Sequence, residues 1–365
     1  MSAGTAERPV GVPAPRAAER ARAGRTLRLG RGVSLRVEGR GLAVCAGLLL
    51  VLALGVAVSL STGDYPVPVP DVVRTLLGRG ERAQEFIVLG LRLPRVVTGL
   101  LVGLALGVAG AVFQLVTRNP LGSPDVIGFT SGAVTGALVV LLVLGGGGER
   151  TAVGALVGGG VTALVVYLLA HRGGVQGYRL ILVGIGLTAV LQAVNSYLLT
   201  RARVEEAQQA QLWITGSLNG RGWEQAAPLG LGLAVLLPLT LLAGRSLAVL
   251  DLGDDAARAL GVHVGRTRLV VLVTATAMTA LAAMAAGPVA FVALAAPQVA
   301  RRLTGSVGPG LVAAGLTGSL LVLVSDFAAQ RLFAPTQLPV GVLTGAVGGV
   351  YLAWLLVTQW RRGRG

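Results

Sequence analysis

The sequence predicts an all-α polytopic membrane protein of about ten transmembrane helices with both termini cytoplasmic, and three observations predict it. Of 365 residues, 53% are hydrophobic and 13% charged, with a mean hydropathy of +0.75, too apolar a balance for a soluble domain. The apolar residues come in runs close to the roughly 20 that cross a bilayer core of about 30 Å. Arginine is divided unevenly among the connections between those runs.

Residues 1–40 carry nine arginines, three glutamates and three prolines and are read as a disordered basic cytoplasmic arm lying against anionic headgroups. Such an arm beside a membrane span is topological, so no nucleic-acid role is expected from the net charge of +15. The arm is too long for a secretory signal, and the first apolar run is retained as a span. The membrane domain is 41–358, with spans at about 41–61, 95–116, 128–147, 152–170, 180–200, 226–244, 268–286, 288–304, 308–325 and 339–358. A basic cytoplasmic tail, 359–365, follows. With both termini inside, the cytoplasmic side holds 21 arginines against seven acids and the outer side ten against nine, the bias expected of inward-facing loops. The span at 288–304 is the weakest, because Pro288 and Pro297 bracket a short apolar run whose freed backbone groups need partners elsewhere.

Gly99, Gly103 and Gly107 recur every four residues, as do Gly341, Gly345 and Gly349. Small-residue stripes of this kind let helix backbones approach and pack where lipid supplies no hydrophobic drive. Ionisable residues inside the spans are nearly absent, with Asp326 placed at the end of the ninth, which argues against a proton- or sodium-driven carrier. Gln192 and Asn195 in the fifth span either line a polar pathway or make a helix–helix hydrogen bond. All 31 basic residues are arginine, so no GxxxxGK[ST] phosphate loop and no Schiff-base lysine exist. If ATP drives this protein, another subunit binds it. The single cysteine, Cys45, permits no intrachain disulfide.

Two connections are more than turns. Residues 63–91 hold Pro70 and Asp71, a helix start with Val72, Val73, Leu76 and Leu77 on its apolar side. With 201–225, where Trp213 and Trp223 mark the membrane interface, they are expected to form an outer platform. Residues 250–262, Leu-Asp-Leu-Gly-Asp-Asp-Ala-Ala-Arg-Ala-Leu-Gly-Val, place acids at a helix start, where they favour the macrodipole, and Gly261 at its stop. Asp254 and Gly253 open this helix. Ala256, Ala257 and Leu260 are expected to share one small face, of a helix that either lies at the membrane interface or fits a groove on a soluble partner.

Taken together, several motifs carry a resemblance. They are Arg92-Leu93-Pro94-Arg95, Gly110-Ala111 through Gln114, Asn119-Pro120-Leu121 with Pro124-Asp125, and Ser131-Gly132-Ala133. Further along come Leu252–Gly261, Gly287-Pro288 with Phe291-Val292, Pro297, Ala300-Arg301 and Leu338-Pro339-Val340-Gly341. In this order, from about residue 40 to 358, the chain resembles the FecCD-type permease subunits of ABC importers for ferric siderophores, haem and cobalamin. The resemblance implies a type II ABC importer permease that is not itself an enzyme, with no catalytic residue and no metal site. It implies a second permease subunit, two ATPase subunits holding ATP and magnesium, and an extracytoplasmic solute-binding protein, all at the bacterial cytoplasmic membrane. It assigns binding-protein docking to Arg92 and Arg95, and ATPase coupling to the Leu252–Gly261 segment.

The chain departs from the family pattern in places. Gln298 stands where histidine is usual, Ala290 and Ala293 where glycines are usual, and Gln337 where glutamate is usual. The family's third docking arginine falls on Gln330, with Arg331 beside it as the substitute. The cargo expected is a ferric siderophore, with haem or cobalamin as the same-class alternative. An ion-coupled secondary carrier and a membrane scaffold are the alternatives from other classes.

Overall fold

In the computed structural model, residues 25–29, 33–37, 39–170, 177–305 and 308–362 are described. Most of the basic arm, Arg172 and the end of the tail lie outside them. Part of the arm differs from expectation. Strands β1, Arg25–Leu29, and β2, Val33–Val37, pair antiparallel with Leu27 opposite Leu35. The sequence alternates within each strand, with Leu27 and Leu29 in β1 and Val33, Leu35 and Val37 in β2, a period-2 pattern that favours strands.

Seven described helical runs are long and apolar enough to cross a membrane. The first is α1, Gly39–Ser61. After a short α2, Val69–Leu76, the chain enters α3, Arg82–Glu85, a π-helical stretch Phe86–Arg92 and α4, Leu93–Thr117. These last three make one run of 36 residues, so the helix begins well before the expected 95. Helix α2 buries Val72 but leaves Val73, Leu76 and Leu77 exposed, so its apolar side is narrower than the sequence suggested. Next come α5, Phe129–Leu138, continued by a π-helical turn to Val143, then α6, Glu149–Ala170, and α7, Gly177–Arg201. The platform helix α8, Val204–Ile214, leads to α9, Trp223–Leu242, and α10, Gly244–Leu250. The chain ends through α11, Asp254–Ala259, α12, Val264–Ala286, α13, Val292–Thr304, α14, Leu311–Arg331, and α15, Val340–Arg362.

Helix α4 is the axis. Within the protein 78% of its most apolar window is buried, against 67% for α12, 61% for α14 and 11% for α1. It packs on α14, α12, α13 and α9. Glycine is what lets it. A side chain at Gly103 would strike the Gly318 carbonyl of α14, and one at Gly107 the Ala314 carbonyl, while Gly99 lies against Leu218. The stripe read on α4 is therefore a helix crossing. On α15 only Gly341 meets another backbone, at Thr215. Gly345 and Gly349 have no atom within reach of an added side chain, and it is Gly348 that abuts Phe291. The expected packing stripe on α15 thus fails at Gly345 and Gly349, whose face is left open by the chain. A crossing not anticipated joins α5 and α6 through Gly132, Gly136, Gly154 and Gly158.

The weak eighth span is a broken helix. Gly287 (φ +73°) ends α12, and 13-residue α13 follows, about 20 Å of helix and too short to cross alone. The backbone left free there finds partners. Ser217 N–H donates to the Ala286 carbonyl at 2.8 Å, and Gly341 N–H to the Gly216 carbonyl at 3.1 Å. Pro297 has no N–H for the Ala293 carbonyl, which packs onto Gly110 of α4 where no side chain stands in its way.

Candidate functional site

Two polar assemblies mark opposite ends of α4, whose 25 residues separate them by about 37 Å. At its start stand the two arginines picked out by sequence. Arg92 donates to the carbonyls of Leu60 (2.8 Å) and Tyr65 (2.6 Å), stitching the end of α1 and the loop after it to the head of α4. Arg95 makes a forked pair with Asp326 of α14, Nε to Oδ2 at 3.0 Å and Nη2 to Oδ1 at 2.8 Å. Its third nitrogen donates to the Gln337 side chain at 3.1 Å, and Gln330 donates to Asp326 at 2.8 Å. Asp326 is buried and Arg95 partly so, with side-chain exposures of 6% and 15%.

This corrects the expectation that Arg92 and Arg95 both face a partner. The charge of Arg95 is spent inside the chain, because Asp326 presents a carboxylate one helix away in the geometry a guanidinium prefers. The departures at 330 and 337 belong to the same cluster: two neutral amides complete the pair where a glutamate at 337 would add a second negative charge. Arg331, on the same helix, lies close enough to Arg92 for the two charges to repel, with Asp64 attracting Arg92 from the loop. Arg92 and Arg331, unlike Arg95, have no carboxylate bound to them among the described ion pairs.

The other assembly surrounds the segment 250–262. Gly253 (φ +117°) and Gly261 (φ +80°) take backbone shapes that side chains resist, and they bracket the six-residue α11. Asp254 faces inward rather than simply capping the helix. Its carboxylate accepts two bonds from Arg268 of α12, at 2.9 and 2.8 Å, and one from Arg118 at 2.7 Å. Arg118 sits just past α4 in the left-handed region (φ +50°) and also donates to the Leu250 carbonyl at 3.0 Å. Ala257 is fully buried against Leu250 and Val264. The expected common face of Ala256, Ala257 and Leu260 is therefore split. Ala257 is turned into the chain because a short helix on a bundle needs an apolar anchor, while Ala256, Leu260, Leu252 and Gly261 are exposed.

Between these ends, the polar pair expected on α7 is divided. Asn195 is buried and its side-chain oxygen accepts from the Thr135 hydroxyl of α5 at 2.7 Å, whereas Gln192 is exposed. Asn195 thus makes the helix–helix bond, and only Gln192 remains open to a pathway. Sequence reading missed a further network. Gln114, 2% exposed, donates to the Leu294 carbonyl at 3.0 Å and accepts from Gln298 at 2.8 Å, and Gln298 also donates to the Pro120 carbonyl at 3.1 Å. The residue that departs from the usual histidine therefore ties α13 to the exit of α4. The missed signal was a glutamine in an otherwise apolar helix, which needs a partner. An apolar cavity of about 510 Å³ lies among α5, α6, α7 and α12, lined by Phe129, Leu156, Tyr167 and Leu272; it offers almost no polar group. Among the described residues no cluster of His, Cys, Asp and Glu could hold a metal.

Residues 49–358 match the model of the FecCD transport family. The chain belongs to the FecCD transport family. Over 317 residues it is 46% identical to the ferric enterobactin transport system permease protein FepG of Escherichia coli (strain K12), covering 86% of this chain and 96% of that one. It is 38% identical to the achromobactin transport system permease protein CbrC of Dickeya dadantii (strain 3937), covering 91% and 95%. Among solved structures, an inward-facing metal-chelate type ABC transporter superposes with a TM-score of 0.76 at 26% identity, covering 87% of this chain and 99% of that one. This FecCD chain is thus a multi-pass membrane permease, and its two polar assemblies cap the ends of its most buried helix.

Proposed function

We propose that this chain is the permease subunit of an ABC importer that admits ferric siderophores across the bacterial cytoplasmic membrane. The observation that carries the reading is near-full-length similarity to a ferric enterobactin permease. Two structural features support it. The 250–262 segment presents Leu252, Ala256 and Leu260 outward, as a contact for an ATPase would, and ATP with magnesium would be held there rather than on this chain. The acid of α14, Asp326, is locked to Arg95, and a locked carboxylate does not suit proton or sodium coupling.

In this reading ten helices span the membrane with both termini cytoplasmic, the 250–262 segment faces the cytoplasm and the Arg92 end faces outward. Two such permeases, alike or related, share a central path. A solute-binding protein delivers the loaded siderophore to the outer end, where Arg92 and Arg331 offer positive charge. ATP-driven closure of the ATPase pair then moves the coupling segments, and the path opens inward. Gln192, exposed on α7, is the polar residue of this chain that faces such a path. The test is uptake of ferric enterobactin into vesicles holding the permease with its ATPases and binding protein. Uptake is expected only with ATP on the ATPase side; uptake driven by an ion gradient without ATP would overturn the reading.

A further inference from the structure

The assembly around Asp254 joins three parts of the chain that are distant in sequence: the turn after α4 through Arg118, the helix α11 that carries Asp254, and the first turns of α12 through Arg268. Helices α4 and α12 are the two most buried spans. The segment 250–262 is otherwise anchored by a small apolar cluster of Leu250, Ala257 and Val264, with Asp251 attracting Arg301 of α13. Apolar contacts of that kind are non-directional and slide. A carboxylate held by two guanidiniums, one of them in a fork, fixes position and direction, and Arg268, with 11% of its side chain exposed, is largely withdrawn from water.

We infer that the Arg118–Asp254–Arg268 cluster is the link through which the 250–262 segment moves α4 and α12, with Asp254 as the positioning residue; this rests on the importer reading above. Arg118 transmits to α4 because it belongs to the backbone that closes that helix, where its own N–H bonds Leu115 and the N–H of Asn119 bonds Gln114. The same exit turn is tied to α13 by Gln298 at the Pro120 carbonyl. A push on α11 therefore reaches α4 through Arg118, α12 through Arg268, and α13 through the turn they share. A loop that merely plugged a partner's groove would need only its exposed face.

The experiment compares wild type with Asp254→Asn, Asp254→Glu and Arg118→Gln in the vesicle-reconstituted complex. Assembly is measured first, by co-purification of the ATPases. The readouts are stimulation of ATP hydrolysis by loaded binding protein and the amount of ferric enterobactin imported per ATP hydrolysed. Asp254→Asn should lower import per ATP at least fivefold in an assembled complex, and Asp254→Glu should retain at least half of it. If Asp254→Asn fails to assemble, Arg118→Gln decides, since it leaves the Arg268 fork holding the segment in place. Arg118→Gln should assemble and lose import per ATP at least threefold. Assembled Asp254→Asn or Arg118→Gln complexes with wild-type import per ATP would overturn this inference alone. A wild-type complex whose hydrolysis ignores the binding protein would overturn the importer reading, and this inference with it.

Discussion

Replacing Arg95 by alanine should damage the fold far more than it weakens any electrostatic docking. The substitution strands the carboxylate of Asp326, whose side chain is 6% exposed, with only the Gln330 amide as a side-chain donor. Breaking a buried pair from one side costs about 3–5 kcal/mol, whereas an exposed docking pair is worth only about 0.2–1 kcal/mol. A loss of 3 kcal/mol is a change of roughly 100-fold in the folding equilibrium. Adding Asp326→Asn removes the stranded charge and leaves an amide that pairs with Gln330 and Gln337. The double variant should therefore recover most of the loss, ending within about 1–2 kcal/mol of wild type, the scale of an altered hydrogen bond. The assay is thermal or denaturant unfolding of the solubilised permease at low and high salt. The loss should persist at high salt, because screening acts over about 8 Å of solvent at physiological ionic strength and reaches buried pairs weakly. An Arg95→Ala permease as stable as wild type, but with salt-sensitive loss of binding-protein affinity, would refute this reasoning and return Arg95 to the docking surface.

The exposed and buried sides of α11 should separate in mutagenesis. Leu260→Glu, at a residue 64% exposed, should leave the permease folded and weaken its co-purification with the ATPases, while Ala257→Arg should lower thermal stability by forcing a charge among Leu250 and Val264. Gly103→Leu would place Cβ 2.6 Å from the Ser319 Cα and against the Gly318 carbonyl. It should cost at least about 1–3 kcal/mol as an overpacked site, whereas Gly345→Ala, with open space around it, should melt like wild type. The carboxyl of Asp125, in the turn between α4 and α5, is pushed above its ordinary range by burial, although the Thr130 hydroxyl and the Phe291 N–H both favour its charged form. The raised value means that the folded state holds this proton more tightly than the unfolded chain. Its contribution to stability therefore grows as pH falls from neutral through the raised value, and levels off below the ordinary 3.8. The stability of Asp125→Asn relative to wild type should therefore rise as pH goes from acid to neutral, and an identical pH profile in unfolding experiments would contradict the assignment.

Legibility in the sequence followed the range of the interactions. The long apolar helices were readable because hydropathy is a local sum, and the α4 stripe was readable because Gly99, Gly103 and Gly107 share a face by spacing alone. The same spacing misled at Gly345 and Gly349, since a stripe shows that close approach is possible and not that a neighbour comes. The paired strands at 25–29 and 33–37 were hidden by net charge, which outweighed the alternation of apolar residues within each strand. The charged clusters were not readable at all. Arg95 meets Asp326 across 231 positions and Arg118 meets Asp254 across 136, and no local pattern pairs one arginine among 31 with one acid among 16. Family resemblance assigned docking to Arg92 and Arg95 and coupling to 252–261, but a motif carries no direction, and within the chain Arg95 is paired with Asp326 and Ala257 is buried.

Backbone strain points to the same place as the charge clusters. Among the described residues only two other than glycine have positive φ, Arg118 and Phe291. Such conformations cost on the order of 1–3 kcal/mol and persist where surrounding contacts over-determine them. Arg118 is the residue that closes α4 and grips Asp254. Phe291 is the residue that opens α13; its backbone amide favours the charged form of Asp125 in the turn leaving α4, and its ring lies against Gly348 of α15. Both strained residues thus lie at the exit of α4, one bonded to the 250–262 segment and one at the start of the broken helix. For Arg118 the contacts that offset the strain are polar and directional, to Asp254 and to the Leu250 carbonyl. Because Arg118 is held by Asp254, a shift of α11 alters the restraint on the exit of α4 directly. The end of the most buried helix is thus restrained directly by the 250–262 segment.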